Sequence, residues 1–194
     1  MPRLRWLPGA ALVLGGALLV SGGCAAHRPA VETPATGEST PAGAHVIPGV
    51  PFLPQEEETC GPSSLAMLLR FHGLAATTGE LVAETRTPGL RGALITDLAA
   101  AARRRGLQAE VADLDLRALR RRIGRGEPVI LLVDLGTWAW SRPHYLLAYG
   151  VTPEGIVANS GREEGVVIPY AALEAEWAKM GRLAIVAPAA GTPR

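Results

Sequence analysis

The stretch Gln55-Glu56-Glu57-Glu58-Thr59-Cys60-Gly61-Pro62-Ser63-Ser64-Leu65-Ala66-Met67-Leu68-Leu69 constrains the fold more than any other part of the sequence. It reads as a loop, a cysteine and the opening turn of a helix. Pro62 suits a first helical position, because the N–H it lacks would have no partner inside the helix. Leu65, Leu68 and Leu69, with Ala66 and Met67 between them, make an apolar helix that belongs in a core. Cys60 then stands at a helix N-terminus, where the macrodipole and unpaired N–H groups favour an anion. Such a setting lowers a thiol's pKa and turns a small hydrophobe into a nucleophile. Gln55, upstream in the same loop, is a candidate donor to the charge that develops when a thiolate attacks a carbonyl.

The rest of the chain says where that thiol works. The 194 residues suffice for one ordinary domain with appendages. Nineteen basic residues against eighteen acidic ones leave no field strong enough to hold nucleic acid. The clusters Arg103-Arg104-Arg105 and Arg120-Arg121-Arg122 read as solvated helix faces. Residues 1–23 carry a basic start (Arg3, Arg5), an apolar run from Ala10 to Val20, and Ser21-Gly22-Gly23 before Cys24. That run is too short for a comfortable membrane span, and an uncleaved anchor is the weaker alternative. The segment resembles a bacterial lipoprotein signal, although Ser21 stands where leucine is usual. On that reading Cys24 is lipidated and becomes the mature N-terminus, anchored on the periplasmic side of a cell envelope. Ala25, rather than an aspartate, after Cys24 favours the outer membrane. Residues 24–45 contain almost no large apolar side chain and form a flexible tether. His27 and His45 lie in or beside it as exposed bystanders. Cys60 is then the odd cysteine of an exported protein, which points to a reactive thiol.

The domain spans residues 46–188, with 189–194 as a tail. Val46-Ile47-Pro48-Gly49-Val50-Pro51-Phe52-Leu53-Pro54 is an extended lead-in, its prolines disfavouring helix in the residues before them. A helix from Gly61 to His72 ends at Gly73, with His72 as a capping or surface histidine. A second helix begins at Thr77 or Thr78, a third runs from Ala93 to Arg105, and Asp115 caps a basic fourth. Strands are expected at 107–111, 128–133, 144–149, 155–158, 166–168 and 183–186, with a helix over 170–180. Helices first and an antiparallel sheet afterwards give an α+β domain.

A cysteine nucleophile needs a base, and the base needs an orienting group. With two histidines at the tether and one capping a helix, His144 remains. It opens a strand after the loop Gly136-Thr137-Trp138-Ala139-Trp140-Ser141-Arg142-Pro143. Asn159, at the end of the expected partner strand, is the first candidate to align the imidazole, and Ser160 is the next. An ordinary turn role for Asn159 ahead of Gly161 fits equally well. Trp138 and Trp140 are candidate substrate contacts, with loop packing as the equal alternative.

Gln55 with Cys60-Gly61-Pro62-Ser63-Ser64-Leu65-Ala66, then His144-Tyr145 with Gly150, then Val157-Ala158-Asn159, resembles the peptidase C39 family. These are papain-like domains best known for cutting leader peptides after a double glycine. The resemblance runs from about Val46 to Ala187 and implies a papain-like fold, with no cofactor or metal. It implies Cys60 as nucleophile, His144 as base and Gln55 as oxyanion-hole donor, acting on a peptide or protein substrate. Exporter-linked members carry aspartate followed by proline where this chain has Asn159-Ser160. An asparagine orients an imidazole but does not stabilise its charge as a carboxylate does. No transporter helices or ATP-binding motif follow, so the chain reads as a free-standing relative. Three activities fit: a cysteine peptidase, a degenerate peptide-binding domain, and another acyl transfer through the same thioester.

Overall fold

The computed structural model describes residues 43–188 apart from 57, 88 and 90. The signal segment, Cys24, most of the tether and the tail lie outside the described residues. Among the described residues seven strands form one sheet with the order β2-β7-β3-β4-β5-β6, and β1 pairs with β4. They are β1 (His45–Val46), β2 (Glu110–Asp113), β3 (Val129–Asp134), β4 (Pro143–Val151), β5 (Gly155–Ser160), β6 (Glu163–Pro169) and β7 (Leu183–Val186). Every pairing is antiparallel. Five helices pack on it: α1 (Cys60–Phe71), α2 (Thr78–Thr85), α3 (Ile95–Arg104), α4 (Leu116–Gly124) and α5 (Tyr170–Ala178). The architecture is the α+β papain-like one expected.

Alternation along β3 explains how one sheet serves two layers. Ile130 and Leu132 join a core with Leu65, Leu68 and Leu69 of α1 and Leu98 of α3. Val129, Leu131 and Val133 join a second core with Leu119 and Ile123 of α4 and Leu173 and Trp177 of α5. A strand covered on both faces reads as an unbroken apolar run, and all six residues of β3 are buried.

Local signals account for several boundaries. Thr77 and Glu80 form a reciprocal capping box at the start of α2, and the Asp115 carboxylate accepts from Ala118 N–H at the start of α4. Other boundaries move for tertiary reasons. Helix α3 starts at Ile95 rather than Ala93, because Ala93 bridges back to Arg86. Strand β2 starts at Glu110 rather than Leu107, because its ladder with β7 begins at the pair Glu110–Val186. His45 is no bystander: it lies half-buried in β1, paired with Val151 at the sheet.

Candidate active site

Cys60 is the first residue of α1 and is buried. The first turn carries no acidic residue that would repel a thiolate. The Thr59 hydroxyl turns back to accept from Glu56 N–H at 3.0 Å instead of capping the helix. Gly61 has a steric reason to be glycine: a Cβ there would lie 2.9 Å from Leu98 Cδ1 and 3.0 Å from Tyr145 Cδ2. Its absence lets the opening turn of α1 press against β4 at the residue next to His144.

Gln55 is held from two sides. Its Nε2 donates to Ser64 Oγ at 2.9 Å, one turn into α1. Its Oε1 accepts from Gly161 N–H at 2.9 Å, and its backbone N–H donates to Gly161 O at 2.8 Å. The side chain is 4% exposed. The buried amide thus ties the cysteine helix to the end of β5 and keeps one N–H beyond the Ser64 bond, since an amide nitrogen carries two.

The imidazole of His144, on β4, meets Ser160 and not Asn159. Its Nε2 lies 3.0 Å from Ser160 Oγ. Asn159 is fully buried and committed elsewhere: Nδ2 donates to Pro51 O at 3.1 Å, and Oδ1 accepts from Gly165 N–H at 3.1 Å. The order of candidates therefore reverses. The cause is the β4–β5 register: Asn159 pairs with Leu147, so by alternation Ser160 shares the face of His144, three residues from Leu147. Burial, and after it the Arg142 guanidinium, pull the His144 pKa down to about 4. The ring is neutral over the physiological range. Tyr145, its neighbour, is pushed well above the usual phenol range by burial and then by Cys60. Cys60 and Tyr145 line one cavity.

Two cavities are lined by candidate residues. One, of about 290 Å³, is lined by Gln55, His144, Ser160, Gly161, Arg142 and Pro143 among others. The second, of about 420 Å³, has Cys60 in its wall. Pro143 lines both. Trp138 and Trp140 line neither: they are 100% and 66% exposed on the loop between β3 and β4. Asp134, which sequence reasoning missed, shapes that loop. Its carboxylate accepts from Gly136 N–H and Arg142 N–H, both at 2.7 Å, and these bonds, the Arg142 one foremost, hold its pKa below the usual carboxylate range. A Cβ on Gly136 would fall 2.1 Å from Trp140 O, so the tight closure requires glycine. The signal was an aspartate two residues before a glycine, an Asx-type turn.

His72, the C-cap of α1, sits edge-on to Phe71, and burial pulls its pKa below the usual imidazole value. No group of three or more His, Cys, Asp or Glu suited to a metal occurs among the described residues.

The model of the peptidase C39 family matches residues 51–190. The chain belongs to the peptidase C39 family. Solved structures share the fold. A C39-like peptidase from Bacillus anthracis aligns with TM-score 0.63 at 18% identity, covering 78% of this chain and 98% of that one. The peptidase domain of Streptococcus ComA, a bifunctional ABC transporter of a quorum-sensing pathway, aligns with TM-score 0.58 at 21% identity, covering 72% and 98%. A double glycine motif protease from an AMS/PCAT transporter, solved with its leader peptide, aligns with TM-score 0.57 at 21% identity, covering 72% and 91%. No curated protein matches the chain at a significant level. The C39 fold sets a helix-terminal thiol in the wall of one cavity and an imidazole with a fixed amide in the wall of another, with Pro143 in both.

Proposed function

We propose that this C39-family chain is a cysteine peptidase of the cell envelope, held there by lipid on Cys24 on the periplasmic side, in the outer membrane. With Ser160 on Nε2, the other ring nitrogen of His144 takes the Cys60 proton. The sulfur attacks the peptide carbonyl, and the oxyanion is met by the Gln55 amide and the N–H groups at the start of α1. The imidazolium returns its proton to the departing amine. Water then releases the acyl group by the same route in reverse. The observation that carries this reading is Gln55, whose buried amide joins the cysteine helix to the strand end where Ser160 meets His144.

A second reading, binding of peptide without turnover, draws on the imidazole. Its partner is a hydroxyl, and its pKa near 4 leaves little drive to accept the thiol proton. Labelling with iodoacetamide across pH separates the two. Under the peptidase reading Cys60 reacts faster than a free thiol near neutrality, His144→Ala slows it, and candidate peptides yield hydrolysis products by mass spectrometry. Ordinary thiol reactivity, unchanged by His144→Ala, would leave only binding; a transfer product in place of two hydrolysis fragments would point to another thioester chemistry. The anchor is tested separately, by loss of palmitate label and of membrane association in Cys24→Ala.

A further inference from the structure

The larger cavity beside the nucleophile has a chemical character of its own. Cys60 forms part of its wall, and the rest comes mainly from Leu94, Ile95, Leu132, Tyr145, Met180 and Leu183. These residues are brought together from the start of α3, from β3 and β4, and from the turn leading into β7. Leu132 is 6% exposed and Leu94 is 45% exposed, so the cavity has a buried floor and an open lip. Of the two hydroxyls in the wall, Tyr145 Oη donates to Ala93 O at 3.0 Å, and Thr96 is exposed at the lip. The one charged group, Arg91, lies on the exposed rim and is paired with Glu58 at 3.1 Å. The buried floor, with Ile95 and Leu132, is apolar, and burying a charged or strongly polar side chain unpaired against it is costly. At about 420 Å³ the space falls within the range of ordinary ligand pockets.

We propose that this cavity is the specificity pocket of the peptidase and that its substrates carry a large uncharged apolar residue, such as Leu, Met or Phe, flanking the scissile bond. The inference rests on the peptidase reading and narrows it. A glycine at that position would leave the cavity to water and gain nothing from its walls. Filling it with a leucine or phenylalanine side chain favours that substrate by about 10- to 100-fold in kcat/KM over glycine.

The test is a positional-scanning peptide library cut by the full-length chain, with products read by mass spectrometry. The expected result is a shared Leu, Met or Phe on one fixed side of the cut. Leu94→Asp supplies the variant arm. Leu94 is the N-cap of α3 and has no side-chain cap bond, so an aspartate suits the backbone there while removing apolar wall from the lip. The readout is the ratio of kcat/KM for a Leu-containing peptide to that of its Gly counterpart, which does not depend on how much protein is folded. That ratio should fall about 10-fold in the variant. Equal cutting beside glycine or charged residues, or a ratio unmoved by Leu94→Asp, overturns the pocket assignment while leaving the peptidase standing. If no peptide is cut, the same library is scored for binding to the Cys60→Ala chain. An apolar preference there keeps the pocket and rejects the peptidase, and an absence of preference rejects the pocket.

Discussion

The two halves of the site are built to different ends. On the sulfur side stand a helix whose first turn carries no acidic residue and a buried amide pinned to Ser64 and Gly161. Around the imidazole, everything keeps the ring uncharged: burial, the Arg142 guanidinium and a hydroxyl in place of a carboxylate. An imidazole beside a carboxylate favours a resting thiolate–imidazolium pair. One beside a hydroxyl favours a resting thiol and neutral ring, with the proton moving as attack proceeds. Under the proposed peptidase reading, the helix side would supply the acyl-transfer geometry and the strand side would set the pH at which it runs.

The largest expected effect comes from striking the sulfur side directly. Cys60→Ala should lower peptide turnover by about 10⁴-fold or more, since the variant lacks the sulfur that the peptidase reading makes the attacking atom. The check is turnover of one cleavable peptide, with circular dichroism to confirm folding. Gln55→Glu is the finer cut. It keeps an oxygen for the Gly161 N–H but removes the amide donor, so kcat should fall by about 10²- to 10³-fold. A loss confined to KM would show that Gln55 holds the two elements together without meeting the oxyanion.

Asn159 sharpens the contrast between neighbouring residues. Asn159→Leu should cost about 3 kcal/mol of stability, because the Pro51 carbonyl and the Gly165 N–H both lose their partner in a fully buried place. The melting temperature is the readout, with a drop of about 10 °C expected. Asn159→Asp should not create a catalytic carboxylate, because that side chain is committed to Pro51 and Gly165; Ser160→Asp should. The new carboxylate would raise the His144 pKa from about 4 and carry the acid limb of kcat/KM upward with it. The same group sets an acid sensitivity of folding. The folded pKa lies below the ordinary 6.5, so the unfolded chain takes up the proton first. Stability is therefore intact above pH 6.5 and falls as pH drops toward 4, by a few kcal/mol at most. Urea midpoints at pH 7 and pH 4.5 should differ less in Ser160→Asp than in the wild type.

How much of this the sequence discloses depends on whether the cause is local. Pro62, the Thr77–Glu80 box, Asp115 and the apolar run of β3 are local causes, and each predicts its element to within a residue or two. Cys60, His144 and Gln55 stand out in the sequence as a candidate set because thiol-based acyl transfer would need all three. The partner of the imidazole is not, since the β4–β5 register, which shifts between Ala148 and Gly150, decides which of two adjacent residues shares its face. Nor is the apolar cavity, whose wall draws Met180 and Leu183 to Cys60 from the far end of the chain.

The smallest effect belongs to the loop that carries the two exposed indoles, and it tests whether the site extends past its two cavities. Trp138 buries nothing within the described structure, so Trp138→Ala should change stability by under about 0.5 kcal/mol. The loop beneath it is held by Asp134 and by Lys179, whose Nζ donates to Gly136 O at 3.1 Å, and neither bond involves the ring. A short peptide that fills only the cavities at Pro143 should be cut equally well by wild type and variant. A longer substrate that runs out along the β3–β4 loop should not, if the indoles are substrate contacts. A rise in KM of several-fold for the long peptide alone would assign Trp138 to the outer reach of the groove. Equal KM for both lengths would leave the imidazole side of the site ending at Arg142, and the difference between the two halves would then lie wholly in the shell around sulfur and ring.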